Sequence, residues 1–310
     1  MALKKIQGDK VFDFVGKFWI FGGLSLVLVI ASLLVIAFKG FNYGIDFAGG
    51  TEVQVRFQQP VEVTQVRDFT DSLGFRGGQV QKFGNENEFL IRFENPHANT
   101  EKEVSDILKS MTDKVSAGLK EKFAAQGPEV RRVDSVGPQV GSQLKRNSIL
   151  AAFYSLLILL IFIGLRFDYK YAPAAILCLA HDSILVLGLF AALGKEVNIQ
   201  ILAAVLTLIG YSLNDTIITY DRIRENEHLM RGEEGKQIIN KSINDMLSRS
   251  ILTSVTVFMS TMALYLFADG VLRDFALAMS FGVVAGVYST VYVASPMILI
   301  FERMRLGRAA

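Results

Sequence analysis

Six runs of mostly apolar residues, each of a length that crosses bilayer hydrocarbon at about 17–25 residues per helix, set the limits on what this chain can fold into. They occupy residues 18–38, 148–165, 172–193, 197–220, 251–268 and 275–301. Inside hydrocarbon the backbone finds no water, so each run has to satisfy its own N–H and C=O groups as a helix. The chain is 51% hydrophobic yet still 20% charged. That is too apolar for an ordinary soluble domain and too charged for a protein wholly in the membrane, so two kinds of territory must alternate. The net charge of +2 gives no support for nucleic-acid binding. One cysteine, Cys178, excludes a disulfide within the chain.

The first run follows Lys4, Lys5, Lys10 and Lys17 and so resembles a signal peptide. Its apolar core is too long for one, and "VIAFKGFNYG" offers no convincing cleavage site. It reads as an uncleaved anchor with Trp19 at the interface. Lysines and arginines at 4–17, Arg166, Lys170, the 222–249 stretch, Arg303, Arg305 and Arg308 all fall on one side. By the positive-inside rule both termini, 1–17 and 302–310, are cytoplasmic, and 39–147 lies outside.

That long segment has the pattern of a small domain. "TEVQVRF" (51–57) alternates as a strand, 61–74 has helical spacing, and "GQVQKF" and "EFLIRFE" flank the hairpin signal "GNEN". A helix from 100 to about 125 and a strand "PEVRRVDSV" complete a β-α-β-β-α-β order, the ferredoxin-like plan. The "GIDFAGGTEV" loop (44–53) has no phosphate-binding Lys-Ser/Thr, so Gly44, Gly49 and Gly50 read as a tight turn from span to strand. Within 221–250, Ile238, Ile239, Ile243, Met246 and Leu247 share one helical face, which predicts an amphipathic helix on the cytoplasmic membrane surface rather than a calmodulin-type target.

The polar residues inside the spans carry the functional signal. Asp215 lies six residues before the charged exit at Asp221, roughly 9 Å inside at helical rise. A carboxylate there costs several kcal/mol without a partner or a proton. Gln200, Ala204, Thr207, Tyr211, Asp215 and Thr219 share a face bordered by Asn214, with Leu202, Leu206, Ile209, Leu213 and Ile217 opposite, facing lipid. The third span holds His181 and Asp182 near its midpoint. The fifth begins at Arg249, with Thr253, Thr256 and Ser260 above it, and the sixth carries the packing motif Gly282-x-x-x-Gly286. A carboxylate beside hydroxyl-bearing helices, paired with Arg249, suggests a proton path along Thr207, Tyr211, Thr253, Thr256 and Ser260. The structural alternatives are a hydrogen-bonded Asp215, a self-satisfying His181–Asp182 pair, a membrane-edge Arg249 and a hydroxyl stripe that only packs helices.

"FNYGIDFAGGTEV", "VGPQVG" (136–141), "LAHD" (179–182) and "IGYSLNDTIITYDRIREN" (209–226), in that order, resemble the SecF family over nearly the whole chain. The resemblance implies a six-span half bundle like those of the resistance-nodulation-division (RND) superfamily, with an α+β extracytoplasmic domain. It implies SecD as the other half, and SecYEG, YajC and the translocating preprotein as partners in the bacterial inner membrane. It implies protein translocation driven by a proton or sodium gradient, without enzyme activity or cofactor, with Asp215 and Arg249 matching the family's ion-coupling residues. The initial Met and basic tail lead us to expect the separate-subunit form. The rivals are half of an RND-type small-molecule or lipid exporter, an intramembrane aspartyl protease and a passive scaffold for SecD. The protease chemistry needs two close carboxylates in contexts that "HD" and "ND" do not supply.

Overall fold

The computed structural model of the chain describes residues 12–74, 78–82, 87–94, 101–167 and 170–306, with backbone only for 101–108 and 303–306. The first span is α1 (Phe18–Lys39). After it come a two-residue strand β1 (Asn42–Tyr43), the single-turn α2 (Ile45–Ala48) and β2 (Gly50–Phe57). Next are α3 (Val63–Ser72), β3 (Gln79–Lys82), β4 (Glu88–Phe93), α4 (Glu101–Lys122) and β5 (Pro128–Val136). The remaining spans are α5 (Pro138–Arg166), α6 (Tyr171–Leu193), α7 (Ile199–Leu229), α8 (Gly235–Phe267) and α9 (Gly270–Ser289). A strand β6 (Glu196–Val197) precedes α7, and α9 continues through a π-turn at Thr290–Ala294 into α10 (Ser295–Leu306). Among the described residues six helical stretches are long and apolar enough to cross a membrane, and the protein is a polytopic helical membrane protein.

Strands and helices of the 39–147 segment stand where alternation and helical spacing put them. Four strands form one antiparallel sheet in the order β3-β4-β2-β5. Along β2, Val53, Val55 and Phe57 are buried and Glu52, Gln54 and Arg56 are not, the period-two signature of a sheet covered on one face. Phe89, Ile91 and Phe93 of β4 join them, and Val66, Phe69, Val115 and Leu119 from α3 and α4 close this core. The tip of the β3–β4 hairpin, 83–86, lies outside the described residues, but Lys82 pairs with Phe89 as a hairpin requires.

The turn glycines frame α2. Gly44 precedes it, and a Cβ there would stand 3.0 Å from Asn198 Cβ. Gly49 ends it at φ +73°, a conformation that costs a side-chain-bearing residue. Gly50 follows at φ +127°, and a Cβ on it would sit 2.7 Å from the Phe93 carbonyl oxygen. The motif therefore does more than turn. It seats the sheet against the start of α5, where Pro138 occupies the first helical position.

Two expectations fail. No separate amphipathic helix fills 221–250: α7 continues to Leu229, a short turn at Gly232 reverses the chain, and α8 starts at Gly235. At about 1.5 Å per residue these helices exceed the roughly 30 Å hydrocarbon thickness, so they project beyond it as a hairpin. Arg222 clamps that hairpin through Nη2 to Asp245 Oδ2 (2.6 Å), and Asn226 donates to Ser242 (2.9 Å). Ile238, Ile239 and Ile243 are buried in protein instead of lying on lipid. The second failure is the lipid-facing assignment on α7. Ile209 and Leu213 are buried in the bundle, where Leu208 fills the space over Gly282 of α9, while Gln200, Thr207, Gly210 and Asn214 line an open face of this chain.

Gly50→Ala should destabilise the sheet by about 1–3 kcal/mol through backbone strain and the Phe93 clash, whereas Gly23→Ala, with open space around it, should be near neutral. Equal resistance of the two variants to denaturant or protease would contradict the assigned backbone.

Candidate functional site

Asp215 and Asp182 lie in the same bundle but are held differently. Asp182 is 1% exposed. Its Oδ1 meets Nδ1 of the neighbouring His181 at 2.9 Å. Its Oδ2 accepts from Ser212 of α7 (2.7 Å) and from Ser289 at the end of α9 (2.9 Å). Cys178, one turn earlier on α6, donates to the Ser289 hydroxyl at 3.1 Å. Three helices thus converge on one carboxylate, and both its oxygens are occupied. His181 is 6% exposed, and its Nε2 finds no partner among the described residues.

The same seam continues along the helices. Thr216 donates to the Ser212 carbonyl, and its hydroxyl meets that of Thr290 at 3.1 Å. Here α9 widens into its π-turn, for a local reason. Pro296 has no N–H to bond the carbonyl four residues back, so the ladder opens, and the Ser295 hydroxyl bonds the Thr290 carbonyl at 2.8 Å. The turn brings the Ser289–Thr290 hydroxyls to the Asp182 seam.

Asp215 is 8% exposed. Ser250 of α8 donates to its Oδ1 at 2.6 Å, and its Oδ2 has no partner among the described residues. No ion pair joins it to Arg249, whose side chain is exposed in this chain. The expected Asp215–Arg249 pairing is therefore corrected to Asp215–Ser250. The register explains it: neighbouring helical residues point about 100° apart, so when Ser250 faces α7, Arg249 turns aside.

The proposed path residues are not joined to one another. Thr207 donates to the Ala203 carbonyl, Thr253 to that of Arg249, Thr256 to that of Thr253 and Ser260 to that of Thr256. Each hydroxyl is satisfied by its own helix, and all four are exposed here, as is Asn214. Only Tyr211 reaches across helices, its hydroxyl 3.1 Å from that of Ser254. Ser250, Ser212 and Ser289 were not singled out as partners for the two acids. Ser212 and Ser289 are hydroxyls within apolar runs and Ser250 stands at the edge of one, which marks candidates but does not name their partners.

No group of three or more His, Cys, Asp or Glu residues with metal-holding geometry occurs among the described residues.

Known proteins carry the same pattern. Residues 116–304 match the family described as "Protein export membrane protein SecD/SecF, C-terminal", and residues 34–61 match "SecD/SecF GG Motif". The second match covers the loop around α2. The chain is 38% identical over 305 residues to a protein translocase subunit SecF of Calditerrivibrio nitroreducens, covering 98% of both. It is 36% identical to the SecF of Escherichia coli O157:H7, covering 94% of this chain and 88% of that one. Among solved structures it resembles SecDF, a translocon-associated membrane protein from Thermus thermophilus, with a TM-score of 0.83 and 35% identity. That likeness covers 95% of this chain and 39% of the other. With a family match over more than half its length and relatives that align nearly end to end, the chain belongs to the SecD/SecF family of protein-export membrane proteins.

Proposed function

We propose that the chain is the SecF-type half of a SecD–SecF pair that uses the proton-motive force, or a sodium gradient, to promote Sec-dependent preprotein translocation across the bacterial inner membrane. In this reading both termini are cytoplasmic, and the sheet domain is a ferredoxin-like extracytoplasmic domain. SecYEG and YajC are partners, and the chain is an ion-driven accessory subunit, not an enzyme. The observation that carries the reading is Asp215. One oxygen is held by Ser250, the other has no partner, and the group is buried in a membrane helix. A buried carboxylate so poorly supported is relieved by a proton or a counter-ion.

The open polar stripe supports a second half. Gln200, Thr207 and Asn214 on α7, with Arg249, Thr253 and Ser260 on α8, line exposed faces of this chain. Polar side chains within a membrane face a bundle interior or a wet cavity, not lipid. SecD covers these faces in our reading and completes the path to Asp215. In our reading, ionisation of Asp215 draws Arg249 in from its outward position beside Ser250, and protonation releases it. Each proton carried down the potential supplies about 2.3 kcal/mol per 100 mV. Asp182 takes the other role. Its occupied oxygens make it a brace that joins α6, α7 and α9 and orients His181.

Asp215→Asn in the assembled SecD–SecF complex should abolish proton-driven export and proton flux while leaving the complex intact; retention of both overturns the assignment. Ser250→Ala, which removes the donor to Asp215, should lower coupled transport about 10-fold or more, in line with a charge-assisted bond of 1.5–3 kcal/mol. Asp182→Ala should instead lower thermal stability in detergent, because it strands His181 Nδ1 and the Ser212 hydroxyl, at about 1–3 kcal/mol for each unsatisfied group. An unchanged melting temperature with lost transport would move Asp182 from brace to carrier.

A further inference from the structure

Between the polar face of the sheet and the ends of α7, α8 and α9 lies a cleft of about 590 Å³. At its edge one guanidinium joins three parts of the chain. Arg92 of β4 places Nη2 2.7 Å from Glu52 Oε2 on β2 and 2.8 Å from Glu196 Oε2 on β6. Its Nη1 donates to the Tyr43 carbonyl of β1 at 3.3 Å. Its side chain is 13% exposed.

These contacts lead directly to α7. β1 and β6 pair in parallel, Asn42 with Glu196 and Tyr43 with Val197. Asn198, next in the chain, caps α7 by accepting from the Ile201 N–H at 3.0 Å. Asp46 of α2 accepts from the Ile199 N–H at 3.1 Å, so the glycine-framed loop supplies a second cap to the same helix. The sheet, the loop and the helix that carries Asp215 are therefore tied at one point.

The charges at that point do not balance. Glu52 and Glu196 share a single nitrogen of a single arginine. Among the other charges facing the cleft, Lys195 binds Asp274 at 2.5 Å, Arg132 binds Asp134 at 2.5 Å, Asp46 accepts from the Ile199 N–H, and Arg273 stands over the Tyr265 ring at 4.9 Å. Lys82 lines the cleft beside them. With both glutamates ionised, the Arg92 junction holds a net negative charge in a largely buried place, and one proton removes it.

We propose that Arg92, Glu52 and Glu196 form a proton-tightened clamp, in which Glu196 is the positioning residue that docks the soluble domain on the head of α7. The clamp deepens the function proposed above and rests on it for the meaning of the motion. When Glu196 is neutral, Arg92 pairs fully with Glu52 while Glu196 stays as a hydrogen-bond acceptor, and the domain is docked. When Glu196 is ionised, the two carboxylates repel and the junction loosens. Burial holds the Glu196 carboxyl above its ordinary value of 4.5, with Arg92 opposing and Glu52 and Asp274 reinforcing the shift. A carboxyl that binds its proton more tightly docked than in water stabilises docking fully below the free value. That contribution is lost as pH rises through the docked value.

The test is a spin-label distance measured on the full chain in its complex, between Gln65→Cys on α3 and Leu272→Cys on α9, both exposed positions. Lowering the pH from neutral toward 4.5 should raise the docked fraction, with a midpoint above that of free glutamate. Glu196→Gln should remain docked throughout and hold at neutral pH the docked fraction that the parent reaches only at low pH. The swap Arg92→Glu with Glu196→Arg keeps two carboxylates on one arginine and should restore the titration. A Glu196→Gln variant that titrates like the parent, or a parent that does not titrate, overturns the clamp. Asp215→Asn should leave this titration unchanged, and its loss in that variant also overturns the clamp. If Asp215→Asn retains proton-driven export while the clamp still titrates, the proposed function fails and the clamp stands.

Discussion

A carboxylate taken out of water must be given hydrogen bonds, a counter-charge or a proton, and this requirement organises the bundle. Asp182 has the first in full: His181, Ser212 and Ser289 occupy both oxygens, and the two serines bring α7 and α9 to α6 at the seam. Asp215 has one donor, Ser250, and an oxygen with none. Identical side chains on neighbouring helices are thus separated by their surroundings into a fastener and a group that has something left to bind. A low-dielectric interior makes both effects large, since it strengthens a complete network and penalises an incomplete one.

The same requirement acts outside the spans. At the junction of sheet and bundle, two carboxylates share one arginine, and the loop that seats α2 also caps α7. The sheet domain is consequently attached to the helix bearing Asp215 at that helix's first turn. A rigid helix transmits a displacement at its end along its length. The glycines make the attachment possible: a side chain at Gly50 would occupy the place of the Phe93 carbonyl.

Much of the fold was legible in the sequence, because the features concerned lie within single elements. Apolar length marks a span, alternation marks β2, and helical spacing marks α3 and α4. What escaped depends on pairs of elements. The face of Ile238 and Ile243 was correctly seen as apolar, but periodicity does not say whether protein or lipid covers it, and here α8 simply continues as one helix. The α7 faces were placed only in part: Ala204, Asp215 and Thr219 are buried as the polar face requires, but Ile209 and Leu213 are buried too, and Gln200 and Thr207 lie open in this chain on its own. A polar stripe destined for another protein looks the same in sequence as one facing an internal core. Arg249 was credited with the contact that its neighbour Ser250 makes, a shift of one residue that turns a side chain through about 100°. Arg92 and Glu196 lie 104 residues apart in the chain, and nothing in either local pattern points to the other.

The central claim is that Asp215 changes protonation state as the protein works. Infrared difference spectroscopy on the reconstituted complex reads this directly, with an aspartate carboxyl band assigned by its loss in Asp215→Asn. We predict that imposing a pH gradient across the membrane makes the protonated band rise and fall with turnover. A band fixed in one state throughout, while export continues, would contradict the account.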